Sequence, residues 1–253
     1  MTPAAAFLTA DWQHVLGVTY AVEEARLLAY LPRGARIDAL EGSPRVSIVA
    51  FRFRRTRLRG VPIPLHVNFS EINLRFYVRL HERRAVVFIR EFVTRPAISV
   101  IAKLTYNEPY RTIRMRDEVL ARDDGLIGVR HRFGRSLGNR LEAWADPAPV
   151  IPAEDSPAYW LTHHDLGVGR GRDGGARSYE VDHPVWALHE VRSLDVDVDF
   201  GALYGPQWAF LADSEPSHVT LAEGSRVSIT PAVDAAPAPV ERYPPETTRG
   251  VAP

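Results

Sequence analysis

Between positions 71 and 78 the chain alternates strictly: Glu71, Asn73, Arg75 and Tyr77 take every second place, with Ile72, Leu74, Phe76 and Val78 between them. A period of two marks a β-strand whose successive side chains point to opposite faces. Phe51-Arg52-Phe53-Arg54 repeats the pattern. Apolar and β-branched runs bounded by Gly, Pro and Arg-rich turns predict further strands. The set is Ile37 to Leu40, Val46 to Phe53, Glu71 to Leu80, Ala85 to Val93, Thr112 to Met115, Leu126 to Phe133, Ser178 to Val181, Trp186 to Val191, Val196 to Phe200 and Val227 to Ile229. Trp12 to Tyr20 is mixed apolar without a clear period.

Helical spacing is confined to short stretches. Leu27, Leu28 and Leu31 predict an amphipathic helix over residues 22–31, stopped by Pro32. Residues 96–104 read as a second, with Thr94 a candidate cap, and Ser156-Pro157 opens one or two further turns. Gly167 to Arg177, with five glycines in eleven residues, reads as a mobile hairpin or loop. The expected organisation is a flexible N-terminus over 1–10, one domain over 11–230 and a Pro-rich disordered tail over 231–253. The fold class is therefore β-dominated α+β, an antiparallel body with a few short helices.

Composition narrows the functions. The 253 residues are 45% hydrophobic and 25% charged, enough for a sizeable core. Balanced charge argues against a nucleic-acid partner, and no uncharged apolar run reaches membrane-spanning length. A cytoplasmic protein is expected, with a homodimer a possibility for sheets with open edges. The absence of cysteine removes disulfides, thiolate metal sites and Cys nucleophiles. Lys103 is the single lysine against 30 arginines. Codon drift explains that ratio, and so does retention of one tunable amine; a cation near a helix C-terminus also complements the helix dipole.

Sequence motifs of common enzymes are missing: no P-loop, no G-x-S-x-G and no H-E-x-x-H occurs. Gly167-Val168-Gly169-Arg170-Gly171 lacks the strand and helix of a nucleotide loop. His163 and His164, adjacent on an extended segment, point apart and are not expected to share a metal ion; no metal and no cofactor is expected. Arg52, Arg54, Arg55, Arg57 and Arg59 form the densest basic run, read as a solvated strand edge in preference to an anion or nucleic-acid face. The row Glu71, Asn73, Arg75 and Tyr77 is either a polar outer face or the wall of a pocket. In the pocket reading Glu71 acts as acid or base and Arg75 holds a carboxylate.

Several segments carry a resemblance. Pro44 to Phe51, Asn68 to Val78, Lys103 to Tyr110, Leu161 to His164 and His183 to Trp186 occur in the order found in YqjF-like proteins, the domain of unknown function 2071, with Glu-Ile-Asn-Leu-Arg-Phe-Tyr-Val the most specific segment. The resemblance spans about residues 11 to 230. Such proteins are similar in fold to acetoacetate decarboxylase, which implies strongly bent antiparallel sheets, a barrel or sandwich, around a pocket. The decarboxylase uses a Schiff-base lysine. Laid against it, this chain places Tyr110 where that lysine stands and Lys103 where an arginine stands, while Glu71 matches an acidic pocket residue.

The resemblance thus implies an uncharacterised protein with a polar pocket for a small anionic or carbonyl-containing molecule but no standard Schiff-base decarboxylase; whether it is an enzyme stays open. Glu71, Tyr110 and Lys103 are the catalytic candidates, and Asn73, Arg75 and Tyr77 the ligand-binding ones. A non-enzymatic structural or interaction module is the alternative, and carbonyl chemistry through Lys103 itself a third reading.

Overall fold

The computed structural model describes residues 6–100, 109–171 and 175–235. Among the described residues seventeen strands follow one another. The first nine are β1 (Leu8–Ala21), β2 (Ala35–Ile37), β3 (Ala39–Leu40), β4 (Ser43–Leu58), β5 (Val61–Pro62), β6 (Phe69–Leu80), β7 (Arg83–Val93), β8 (Tyr110–Thr112) and β9 (Met115–Ala121). The others are β10 (Ile127–Phe133), β11 (Asn139–Ala145), β12 (Leu166–Arg170), β13 (Ala176–Asp182), β14 (Leu188–His189), β15 (Val191–Asp197), β16 (His218–Ile229) and β17 (Val233–Asp234). Among the described residues the short helices α1 (Pro157–Thr162) and α2 (Phe200–Tyr204) lie between them; residues 96–100 are also helical, and Pro206–Asp213 forms a 3-10 helix.

The principal sheet runs β14-β16-β1-β4-β6-β7-β12-β13-β17, and an extra pairing of β13 with β16 closes it into a ring. Closure rests on Val181 opposite Ile229 and Asp182 opposite Ser228. A separate antiparallel sheet, β15-β11-β10-β9, packs outside. The main core lies between the two layers. Ile48, Ala50, Ile72, Leu74, Phe76 and Val78 of the ring meet Val129, Phe133, Leu141 and Ala143 of the outer sheet, with Phe200, Tyr204 and Trp208 alongside. The alternation over 71–78 has its expected consequence: the apolar set faces this core and the polar set faces inward.

Several local expectations are corrected. Residues 22–31 form two 3-10 turns, Glu24–Arg26 and Leu28–Tyr30, rather than one helix. Neither has a side-chain cap and Pro32 follows at once, so the costly first turn is never propagated. The segment left without a period is the long strand β1, which also takes in Leu8 to Ala10 of the expected flexible N-terminus. A bulge between Gln13 and Leu16, with His14 at φ 53°, resets its alternation, and both faces are then buried from Val15 to Tyr20. Across the bulge, Gly224 sits at φ +87°, where a Cβ would lie 2.1 Å from the Trp12 carbonyl oxygen. Only glycine suits that position.

The glycine-rich stretch begins inside a strand. Gly167 and Gly169 belong to β12, which pairs antiparallel with β13 and places Gly167 opposite Tyr179. A Cβ on Gly167 would come within 2.3 Å of the Tyr179 ring, so this glycine serves close packing. Val196 to Phe200 is not one strand either: Asp199 accepts from the Ala202 amide at 2.8 Å and starts α2. The arginine run does not lie on a bare edge. Arg52 sits between Gln13 of β1 and Ser70 of β6, and Arg55 pairs with Asp11 at 2.5 Å. The start of the expected tail holds β17, paired with Arg177 and Ser178; residues 236–253 lie outside the described residues. No helix among the described residues is long and apolar enough to cross a membrane.

Candidate functional site

The inner face of the ring is assembled by register. Phe51 lies opposite Glu71, Val49 opposite Asn73 and Ser47 opposite Arg75 across β4 and β6. On the other side of β6, Asn73 faces Glu91 of β7, and Tyr110 of β8 lies beside Glu91. Opposed residues project to the same face, so Asn73, Glu91 and Tyr110 form one transverse row with Glu71 next to it. A bulge between Leu74 and Arg75 shifts the pairing with β7 and brings Phe88 opposite Arg75.

These residues line a cavity of about 90 Å³. Its polar groups are Glu71, Asn73, Arg75, Glu91 and Tyr110, with Thr56 and Tyr179 at its wall; Phe51, Phe53, Phe69 and Phe88 supply much of the apolar wall. Because β1, β4, β6, β7, β8, β13 and β16 all contribute, this is the interior of the ring. An apolar cavity of ~150 Å³ accepts benzene, so the space fits a molecule of only a few non-hydrogen atoms.

Glu71, Asn73 and Glu91 are almost completely buried. Asn73 Nδ2 donates to Glu71 Oε1 at 3.1 Å, and the Tyr110 hydroxyl donates to Oε2 at 3.4 Å. Burial pushes the Glu71 carboxyl up to about 7; the two hydrogen bonds and the Arg75 charge oppose the rise without cancelling it. Tyr110 is pushed far above the usual phenol range by burial and then by the charges of Glu71 and Glu91, so it keeps its proton. The arrangement is a carboxyl that changes protonation near neutrality beside a permanent O–H donor.

Arg75 is half-buried and makes no ion pair among the described residues. Its Nη2 donates to the Leu161 carbonyl at 3.4 Å, and its Nε has no acceptor. A guanidinium drawn out of water with so few acceptors is a place where an anion is stabilised.

The structure thus gathers four of the sequence candidates, Glu71, Asn73, Arg75 and Tyr110, around one cavity. Tyr77 is not among them. Its hydroxyl is bonded to Ser47 Oγ at 2.7 Å, Ser47 is bonded to Thr19 Oγ1 at 2.7 Å, and its ring packs 4.6 Å from Trp160. It shares the face of Glu71 but fills a satisfied network, because its partners come from strands distant in sequence. Lys103 lies outside the described residues. Of the two histidines, His164 is buried against Tyr77 and Trp160, while His163 turns to Tyr159 and His183.

Sequence reasoning missed Glu91 and Tyr179. The signal for Glu91 was a lone carboxylate inside Val86-Val87-Phe88-Ile89-Arg90-Glu91-Phe92-Val93, where a run buried on both sides has no use for one. Tyr179 was hidden by its glycine-rich neighbourhood.

Comparison with known proteins extends these observations. Residues 9–226 match DUF2071, described as an uncharacterized conserved protein. No curated protein matches the sequence. Among solved structures, the chain is similar to acetoacetate decarboxylase from Legionella pneumophila, with TM-score 0.61 and 10% identity over 93% of this chain and 90% of that one. It is equally similar to an acetoacetate decarboxylase-like enzyme from Sphingomonas wittichii RW1, with TM-score 0.61 and 15% identity over 93% and 98%. The enduracididine biosynthesis enzyme MppR, complexed with pyruvate, superposes with TM-score 0.59 and 12% identity over 91% of each chain. At these identities the likeness is one of fold.

Proposed function

Because the chain belongs to the DUF2071 family and has an acetoacetate decarboxylase-like fold, we propose that its ring encloses a binding site for a small carboxylate bearing a carbonyl group, where Glu71 exchanges a proton. The observation that carries this is Arg75, which makes no ion pair among the described residues, on the same cavity as a carboxyl that burial pushes up to about 7. Arg75 takes the ligand carboxylate. Glu71, when ionised, accepts a proton from the carbon next to the carbonyl, and the electron pair passes to the carbonyl oxygen. A hydrogen bond from the Tyr110 hydroxyl stabilises that oxygen, and return of the proton from Glu71 completes the exchange. No oxidant, reductant or amine takes part, in keeping with tyrosine at position 110. The pyruvate bound by MppR supports an oxo acid as the ligand class.

Deuterium exchange at C3 of pyruvate and 2-oxobutanoate, followed by NMR in heavy water, tests the proposal. The wild-type protein is expected to accelerate exchange over buffer, Glu71→Gln to lose at least about 100-fold of the acceleration, and Arg75→Met to lose affinity for the acid. Exchange unchanged by Glu71→Gln defeats the assignment.

A further inference from the structure

Behind Arg75 lies a second, smaller chamber of about 40 Å³. It shares Trp12, Arg75, Phe88, Tyr179 and Val181 with the larger cavity, so the two are neighbours across the same guanidinium. Its own walls come from Val86, Leu166, Gly167 and Trp186, with Thr162, His164 and His183 as polar groups. Water occupies about 30 Å³ in the liquid, so the chamber admits one small functional group and little more.

His164 is the unusual member. It is 8% exposed, and neither ring nitrogen has a hydrogen-bond partner. His183, by contrast, is bonded through Nδ1 to the Pro184 carbonyl at 2.8 Å and stacks on Trp186 at 4.3 Å. Burial, reinforced by Arg75, Arg84, His163 and His183, holds the His164 imidazole far below its usual range and therefore neutral. A neutral imidazole has one donor and one acceptor nitrogen. A carboxylate answers only the donor, and a methyl group answers neither; a hydroxyl, donor and acceptor in one, answers whichever ring nitrogen faces the chamber, in either tautomer. Leaving a buried polar pair unanswered carries the full desolvation cost.

Resting on the carboxylate reading of Arg75, we infer that the His164 chamber is a specificity subsite for a hydroxyl group, so that the preferred ligand is a hydroxylated small carboxylic acid. Arg75 takes the carboxylate at the junction, the carbon chain lies along the phenylalanines of the larger cavity, and the hydroxyl turns toward His164. His164 selects among ligands and is a binding residue, removed from the Glu71 and Tyr110 chemistry.

Isothermal titration calorimetry on the full chain tests this with matched probes: 2-, 3- and 4-hydroxybutanoate, each against its methyl isostere, 2-methylbutanoate, 3-methylbutanoate and pentanoate. At least one hydroxy acid is expected to bind about tenfold or more tightly than its isostere. His164→Phe, which keeps the ring packing against Tyr77 and Trp160, is expected to abolish the preference while leaving the affinity for the isostere within a few fold. Equal affinities within every pair in the wild type show a chamber that holds only ordered water and overturn the inference, whatever the variant does. A preference that survives His164→Phe overturns it too. If all the acids bind without regard to the hydroxyl and Arg75→Met abolishes that binding, this inference alone fails. If no acid binds, the carboxylate reading fails with it.

Discussion

The two faces of β6 are buried to nearly the same degree and do opposite work. Outward, Ile72, Leu74, Phe76 and Val78 meet the second sheet and α2, where every atom that leaves water gains dispersion contacts. Inward, Glu71, Asn73, Arg75 and Tyr77 leave water at a cost that only hydrogen bonds offset. At the Tyr77 end those bonds are complete, running through Ser47 to Thr19. At the Glu71 and Arg75 end they are not. One strand therefore carries a stabilising face and a face whose polar demand is partly unmet, the demand that under the proposed function a ligand would answer.

Substitution on each face should separate these roles. The largest effect is expected at Leu74, fully buried in the main core. Leu74→Ala should lower the free energy of unfolding by about 2–5 kcal/mol in urea titrations, yet leave ligand affinity unchanged under conditions where the protein is still folded. A matching loss of affinity would mean that the faces are not independent.

Glu71→Gln should act in the opposite direction and depend on pH. The folded-state carboxyl titrates near 7 against an ordinary value of 4.5, so the native state holds more protons than the unfolded state between these values. Stability then falls as pH rises through this window, and the ionised form is strained above it. At pH 8 to 9 Glu71→Gln should be more stable than the wild type by roughly 2–4 kcal/mol, with no gain near pH 4. Thermal denaturation across pH checks the sign; a parallel offset at every pH would refute it.

Arg75→Met should change stability least, within about 1 kcal/mol either way, because the lost cation has no ion pair among the described residues, only a weak carbonyl partner and a distant contact with the Tyr77 ring, and the Met side chain covers the same apolar wall. A loss of 3 kcal/mol or more in chemical denaturation would show that Arg75 already has a partner and is a structural cation.

How far the sequence reveals this comparison varies along the chain. The alternation over 71–78 is a local property, so both faces of β6 can be read directly. Tyr77 has the same parity as Arg75, and only the nonlocal approach of Ser47 and Trp160 separates a satisfied phenol from the site. Glu91 joins the site through pairing of β6 with β7, and Tyr110 through parallel pairing of β7 with β8. His164 could be noticed as a histidine but not as one deprived of partners, since that deprivation is made by Trp160, Tyr77 and the chamber walls. Where a bulge interrupts the period, as at His14, the pattern fails although the strand continues.

The β12–β13 hairpin, whose Tyr179 and Val181 form part of both chambers, is joined to the ring by short pairings, including two pairs with β17, and by the Arg170 guanidinium bonded to the Ala29 and Leu31 carbonyls. A single parallel pair, Gly167 with Val86, joins it to β7, and two antiparallel pairs join it to β16. Arg83 adds a tether at its base through Asp165 and Glu180. Elsewhere the ring is held by ladders such as the eight pairs between β4 and β6. Tyr179 and Val181 set one strand, β13, against both chambers, so a ligand lying on both sides of Arg75 would brace that strand at two points.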